Sequence, residues 1–191
     1  MAWIRTIAFG EAAGRLRKLY ERSKGPGDRV DNILAAHSLR PHTLDGHLHL
    51  YRNVLHNPAN RLPAWTLEAL GVYVSALNGC RYCVDHHSQG LRRLLQDEDR
   101  WQAMHAALVS DRPESAFGSR ELAMLRYARR LTLAPVAMKE TDVTALRDAG
   151  LDDGEILEIN QVAAYFAYAN RTVLGLGVTT DGDVLGSTPA A

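Results

Sequence analysis

A chain of 191 residues, 46% hydrophobic and 23% charged, suits one globular domain that buries a core without disulfide staples. Lys plus Arg balances Asp plus Glu at 22 each, with no basic block, which argues against a nucleic-acid partner. No apolar run reaches transmembrane length and no signal-peptide core opens the chain, so no membrane role and a cytoplasmic location are expected.

Residues 1–9 read as a short extended arm. Helical periodicity begins at 11–22, where Leu16, Leu19 and Tyr20 share one side and Arg15, Arg17 and Lys18 the other. Lys24-Gly25-Pro26-Gly27 breaks it, and Asp28 is a candidate N-cap for a second helix to residue 39. Pro41 opens a third helix, 41–55, with Leu44, Leu48, Tyr51 and Leu55 as its buried stripe. A turn at 57–60 separates these first 60 residues from the remainder.

Pro63 suits the first turn of the next helix, which lacks partners for its N–H groups. Leu67, Leu70, Val74 and Leu77 mark its inner face, and Asn78-Gly79 ends it. Helices follow to residue 95, over 97–109 with Trp101, Met104, Ala107 and Leu108 inward, and over 119–131. Thr141 is expected to cap a short helix ending at Gly150. Asp152 and Glu155 have capping-box spacing and start a long apolar helix to about 174, with Ile159, Val162, Ala163, Phe166 and Ala167 inward. The expected architecture is all-α, about eight helices. Residues 1–178 form one domain, with an N-terminal extension (1–60) and a core (61–178), and 179–191 form a loose polar tail.

Chemistry concentrates in Leu77-Asn78-Gly79-Cys80-Arg81-Tyr82-Cys83-Val84-Asp85-His86-His87. This stretch holds both cysteines of the chain and two of its eight histidines. In a reducing compartment a lone Cys-x-x-Cys points to redox or metal chemistry rather than a structural bridge. Cys80 opens a helix, where unpaired N–H groups favour a thiolate. Cys83 lies one turn on, and His87 shares its face at i+4, placed to take or relay the thiol proton. Tyr82 adds a phenol between the sulfurs. Glu68, on the preceding helix beside the Leu67 and Leu70 stripe, supplies a carboxylate suited to proton transfer if the two helices fold back on each other.

The order Glu68-x11-Cys80-Arg81-Tyr82-Cys83-x3-His87 resembles the AhpD-type alkylhydroperoxidase motif of the carboxymuconolactone decarboxylase-like superfamily. Residues 31–41, 75–80 and 162–166 resemble its peroxidase-related branch. The resemblance implies an AhpD-like helical bundle and a thiol-dependent peroxidase in antioxidant defence. Cys83 matches the cysteine that attacks the peroxide, and Cys80 the one that closes the disulfide and meets the reductant. Glu68 and His87 match the proton relay, which Tyr82 can join. It further implies no cofactor and no metal, a thiol or lipoyl-type protein reductant, and a homo-oligomer, trimer or hexamer.

Two rivals use the same residues. A decarboxylase or lactone-processing enzyme would employ His87 and Glu68 as acid and base, with no need of two thiols. A zinc-stabilised binding module would draw ligands from Cys80, Cys83, Glu68 and either His86 or His87, although a second knuckle is missing. Otherwise bland roles are expected. His86 points about 100° away from His87 and reads as a packing or surface residue. His37, His42, His47, His49 and His56 read as scattered polar positions, and Trp3, Trp65, Trp101, Tyr165, Phe166 and Tyr168 as packing. Arg171 is a candidate for a buried pair across an oligomer interface.

Overall fold

The computed structural model describes residues 2–186, apart from the side chain of Pro26. Among the described residues the regular structure is nine α helices and short 3-10 turns, with no strand. The helices are α1 (Gly14–Glu21), α2 (Asn32–Ala36), α3 (Pro41–Leu55), α4 (Ala64–Leu77), α5 (Arg81–Leu95), α6 (Glu98–Val109), α7 (Ser119–Leu133), α8 (Glu140–Asp148) and α9 (Asp153–Leu176). The all-α expectation holds. None of these helices is long and apolar enough to cross a membrane.

The bundle is organised around α4. Every position from 66 to 75 is buried, and a helix that is buried all round has to be enclosed by others. Helices α5, α6, α7 and α9 enclose it. Gly71 lets α9 approach: a Cβ there would lie 2.3 Å from the Phe166 ring. Glu68 is the one charged residue in this buried run. A smaller core of Leu16, Leu19, Tyr20, Leu34, Leu44 and Leu48 holds α1, α2 and α3 together, and α3 leans on α9. The predicted inner stripes of α1 and α3 both point inward.

The capping box of α9 forms as its spacing implies. The Glu155 N–H donates to Asp152 Oδ1 at 2.8 Å, and the Asp152 N–H donates to Glu155 Oε2 at 3.0 Å. Two other helix starts differ from expectation. Asp28 does not cap α2, because Gly27 and Asp28 are both left-handed (φ 70° and 58°) and prolong the turn. Helix α2 therefore starts only at Asn32. Thr141 sits inside the first turn of α8, and the Lys139 N–H ahead of it donates to the Asp142 carboxylate at 2.7 Å.

The largest departure is at the C-terminus. Gly177 ends α9 in a left-handed conformation, and residues 178–186 then return across α2 and α5 instead of trailing away. Long-range hydrogen bonds from Asn32 and Tyr82 hold them there. These contacts saturate a buried carboxylate, which a polar composition alone does not reveal. Residues 187–191 of the expected tail lie outside the described residues.

Candidate active site: a dithiol between two buried carboxylates

The site starts from a helical reversal. Asn78 closes α4, Gly79 takes φ 69°, and the Cys80 N–H reaches back to the Ser75 carbonyl at 2.8 Å. A left-handed residue here costs glycine little and other residues more. The reversal lays α5 along α4 and leaves Cys80 at the N-cap of α5, with Cys83 in its first turn.

Both cysteines are free thiols. Cys80 has 0% of its surface exposed and Cys83 2%. Only Cys83 lines the adjoining cavity, which has a volume of about 60 Å³. Cys80 lies beneath it, so the sulfur expected to meet the reductant has no open surface in this arrangement. The Cys83 thiol donates to Cys80, and this is the main reason the Cys80 pKa is held below its ordinary value, against the opposing effect of burial. Donating that hydrogen bond, together with burial, pushes Cys83 well above. The first proton lost from the pair therefore leaves its charge on Cys80. Asn170 steadies this arrangement, donating to Ser75 Oγ at 3.0 Å and accepting from Asn78 at 2.9 Å.

On one side of the dithiol stands the pair expected from the sequence. His87 Nδ1 and Glu68 Oε2 are 2.7 Å apart, and Glu68 is 4% exposed. With Glu68 ionised, Nδ1 carries the proton and Nε2 is left as the basic atom. The Phe166 ring meets the imidazole edge-on at 4.6 Å. Gly90, one turn beyond His87, makes room for the carboxylate, since a Cβ there would lie 3.1 Å from Glu68 Cδ and Oε1.

On the other side stands a pair that the sequence reading missed. His86 Nε2 lies 3.2 Å from Asp183 Oδ2, and the Asp183 side chain is 3% exposed. The Tyr82 hydroxyl donates to the same oxygen at 2.7 Å and accepts from the Ile33 N–H at 3.2 Å. The Asn32 N–H lies 3.1 Å from both carboxylate oxygens. Burial, then the Asp183 charge, pushes the Tyr82 pKa up, so the phenol stays neutral.

Four of the five predicted residues, Glu68, Cys80, Cys83 and His87, meet at one place. Tyr82 lines the same cavity, but its hydroxyl is turned to Asp183. His86 is buried and paired rather than a simple packing or surface residue. Arg171 is exposed in the single chain and bonds the Ala167 carbonyl of its own helix. Trp3 is exposed rather than part of the core. His42 and His49 lie on the surface, whereas His47 is buried, lines the cavity and is pushed down to about 3 by burial and the nearby His37. Gly90 had a signal, its i+3 spacing from His87, and Asp183 had none. Among the described residues no group of three or more His, Cys, Asp or Glu side chains could hold a metal ion. The four donors considered for zinc are instead occupied in separate pairs.

Residues 41–130 match the sequence model of the carboxymuconolactone decarboxylase family. The uncharacterized protein YdfG of Bacillus subtilis (strain 168) is 31% identical over 70 residues, 37% of this chain and 45% of that one. The match thus spans less than half the length of this relative. Among solved structures, the AhpD core of a peroxidase-related protein from Ralstonia eutropha JMP134 has a TM-score of 0.84 at 20% identity, covering 98% of this chain and 97% of that one. A peroxidase-related protein from Silicibacter sp. TM1040 has a TM-score of 0.77 at 24% identity, covering 90% and 87%. The debrominase Bmp8 has a TM-score of 0.72 at 16% identity, covering 89% and 88%. At these identities the structures share the fold. Residues 41–130 thus carry a carboxymuconolactone decarboxylase family match within a fold shared with AhpD-like proteins.

Proposed function

We propose that the protein is a thiol-dependent peroxidase that reduces hydroperoxides through a Cys80–Cys83 dithiol/disulfide cycle. The observation that carries this is a free, hydrogen-bonded thiol pair opening on a cavity beside a histidine–carboxylate couple. Cys83 faces the cavity and gives its proton to Nε2 of His87, whose imidazolium Glu68 stabilises. The Cys83 thiolate attacks the peroxide: an S–O bond forms, the O–O bond breaks, and the alkoxide takes the proton from His87 to leave as alcohol. Cys80, the sulfur that holds charge more readily, then attacks Cys83. The S–S bond forms, the S–O bond breaks, and hydroxide leaves as water with the proton that Cys80 gives up. A positioned base of this kind contributes roughly 10²–10⁴-fold.

The low-pKa sulfur and the attacking sulfur are thus different atoms, which suits an attacker and a resolver in one helical turn. The cycle needs no cofactor, and a thiol or lipoyl-type protein dithiol closes it by reducing the disulfide. The reading extends to a homo-oligomer, trimer or hexamer, supported by apolar side chains left at the surface such as Leu133 and Val136.

The test is stopped-flow reaction of the reduced protein with peroxide, followed by mass detection of the intramolecular disulfide. Cys83→Ser should abolish consumption, and Cys80→Ser should leave a trappable sulfenate. Full turnover by Cys83→Ser overturns the assignment. Bmp8 is known as a debrominase, and its cysteine variant was solved in complex with 2,3,4-tribromopyrrole. That compound belongs in the substrate panel, and debromination without peroxide consumption would overturn the reading. A cavity of about 60 Å³ favours the smaller substrate.

A further inference from the structure

We propose that residues 178–186 are a substrate-size wall, a strap pinned by Asp183 that admits hydrogen peroxide and small alkyl hydroperoxides to the dithiol and turns bulky ones away. The proposal rests on the peroxidase reading for its substrates and on geometry for the wall itself. Helices α4, α5 and α9 line the cavity through Glu68, Cys83 and Tyr165, and the strap completes the lining through Gly186, which packs on α5 at Gln89 and Gly90.

The strap is fixed at three points. Near its start, the Asn32 side chain donates to the carbonyls of Thr179 at 2.8 Å and Asp181 at 2.9 Å. In the middle, the Asp183 carboxylate is held by the Asn32 N–H, the Tyr82 hydroxyl and His86. At the end, the Arg93 guanidinium donates to the Gly186 carbonyl. Gly186 sits so close to α5 that a Cβ would lie 2.7 Å from Gln89 Cβ, and its φ of +73° favours glycine in any case. Buried polar groups with this many partners hold a segment in one place.

The volume decides what passes. A single water requires roughly 10–15 Å³, and an apolar cavity that takes benzene measures roughly 150 Å³. About 60 Å³ therefore accommodates a peroxide with a short alkyl group and not an aryl one. Asp183 acts here as a positioning residue: it touches Tyr82 and His86, not the sulfurs.

The test compares probes of two sizes on full-length protein. Hydrogen peroxide and cumene hydroperoxide report turnover, and iodoacetamide and monobromobimane report access to the reduced thiols without any peroxide chemistry. Asp183→Ala should raise the cumene-to-hydrogen-peroxide ratio of kcat/KM at least tenfold, and the bimane-to-iodoacetamide rate ratio similarly. Asn32→Ala, which releases the strap without altering a residue of the dithiol motif, should move both ratios the same way by a smaller factor and serves if Asp183→Ala does not fold. Folded variants that both keep the wild-type ratios overturn the proposal. If peroxide is not consumed at all and the bimane ratio still rises, the wall stands and the peroxidase reading fails.

Discussion

Adjacent histidines on α5 line one cavity, and each pairs with a carboxylate from a differently built part of the molecule. His87 pairs with Glu68, a residue of the most enclosed helix, across a helix–helix contact that Gly90 permits. His86 pairs with Asp183, a residue of an irregular segment outside the helices. Both carboxylates are almost fully buried, so both histidines look equally catalytic by burial. Their surroundings differ. The Glu68 carboxylate is paired with the imidazole of His87, and both line the cavity beside Cys83, which suits proton transfer. The Asp183 carboxylate is engaged by three separate donors, which suits holding a segment in place. A buried carboxylate–histidine pair is therefore not by itself a relay; what else the carboxylate holds decides its use.

The largest test of this contrast is Glu68→Gln. It keeps the shape and hydrogen-bonding capacity but removes the charge that stabilises a His87 imidazolium. The rate of the first peroxide step should fall roughly 10²–10³-fold with the fold intact by circular dichroism. A loss below tenfold would place the relay elsewhere.

Acid stresses the helical side through a buried histidine. His47 on α3 has its folded pKa pushed down to about 3 from an ordinary 6.5. The unfolded chain then binds more protons than the folded one between these values, so stability rises with pH across this window and is lost as pH falls below about 6. The slope approaches about 1.4 kcal/mol per pH unit, on the order of 5 kcal/mol over the whole window. Urea titrations from pH 7 to 4 should show this slope in the wild type and a shallower one in His47→Leu. Equal slopes would mean that His47 charges without unfolding.

Much of the helical side was legible in advance because its signals are local. The i, i+4 spacing of Cys83 and His87, the Gly79 break and the apolar stripe around Glu68 each depend on a few neighbouring residues. The charge preference of Cys80 was legible from its place at the start of α5, but its main cause, the hydrogen bond from Cys83, and the support of Asn170, 90 positions further on, were not. The strap was illegible for a related reason. Residues 178–186 have the composition of a turn, and only the distant Asn32, Tyr82, His86 and Arg93 make them a wall.

Gly90→Ala probes the space that brings α5 against Glu68. The added Cβ would meet the carboxylate at 3.1 Å, tighter than ordinary contact, so Glu68 must shift. The expected cost is about 1–2 kcal/mol of stability, with a drop in peroxide rate larger than that loss alone explains. A stable variant of unchanged rate would show that Glu68 has slack, weakening the case for a precisely placed relay.

Tyr82→Phe is the smallest and most discriminating change. It removes one of three donors to Asp183 and leaves the Ile33 N–H without its phenol oxygen, at a cost of about 1–2 kcal/mol. If Tyr82 serves the wall, the rate with hydrogen peroxide should fall less than tenfold, and the preference for small peroxides should weaken in the direction of Asp183→Ala. If Tyr82 serves the relay, the rate should instead fall as far as in Glu68→Gln with the size preference unchanged. Pre-steady-state rates with hydrogen peroxide and cumene hydroperoxide distinguish these outcomes, because a lost proton path slows both peroxides alike and a loosened wall does not.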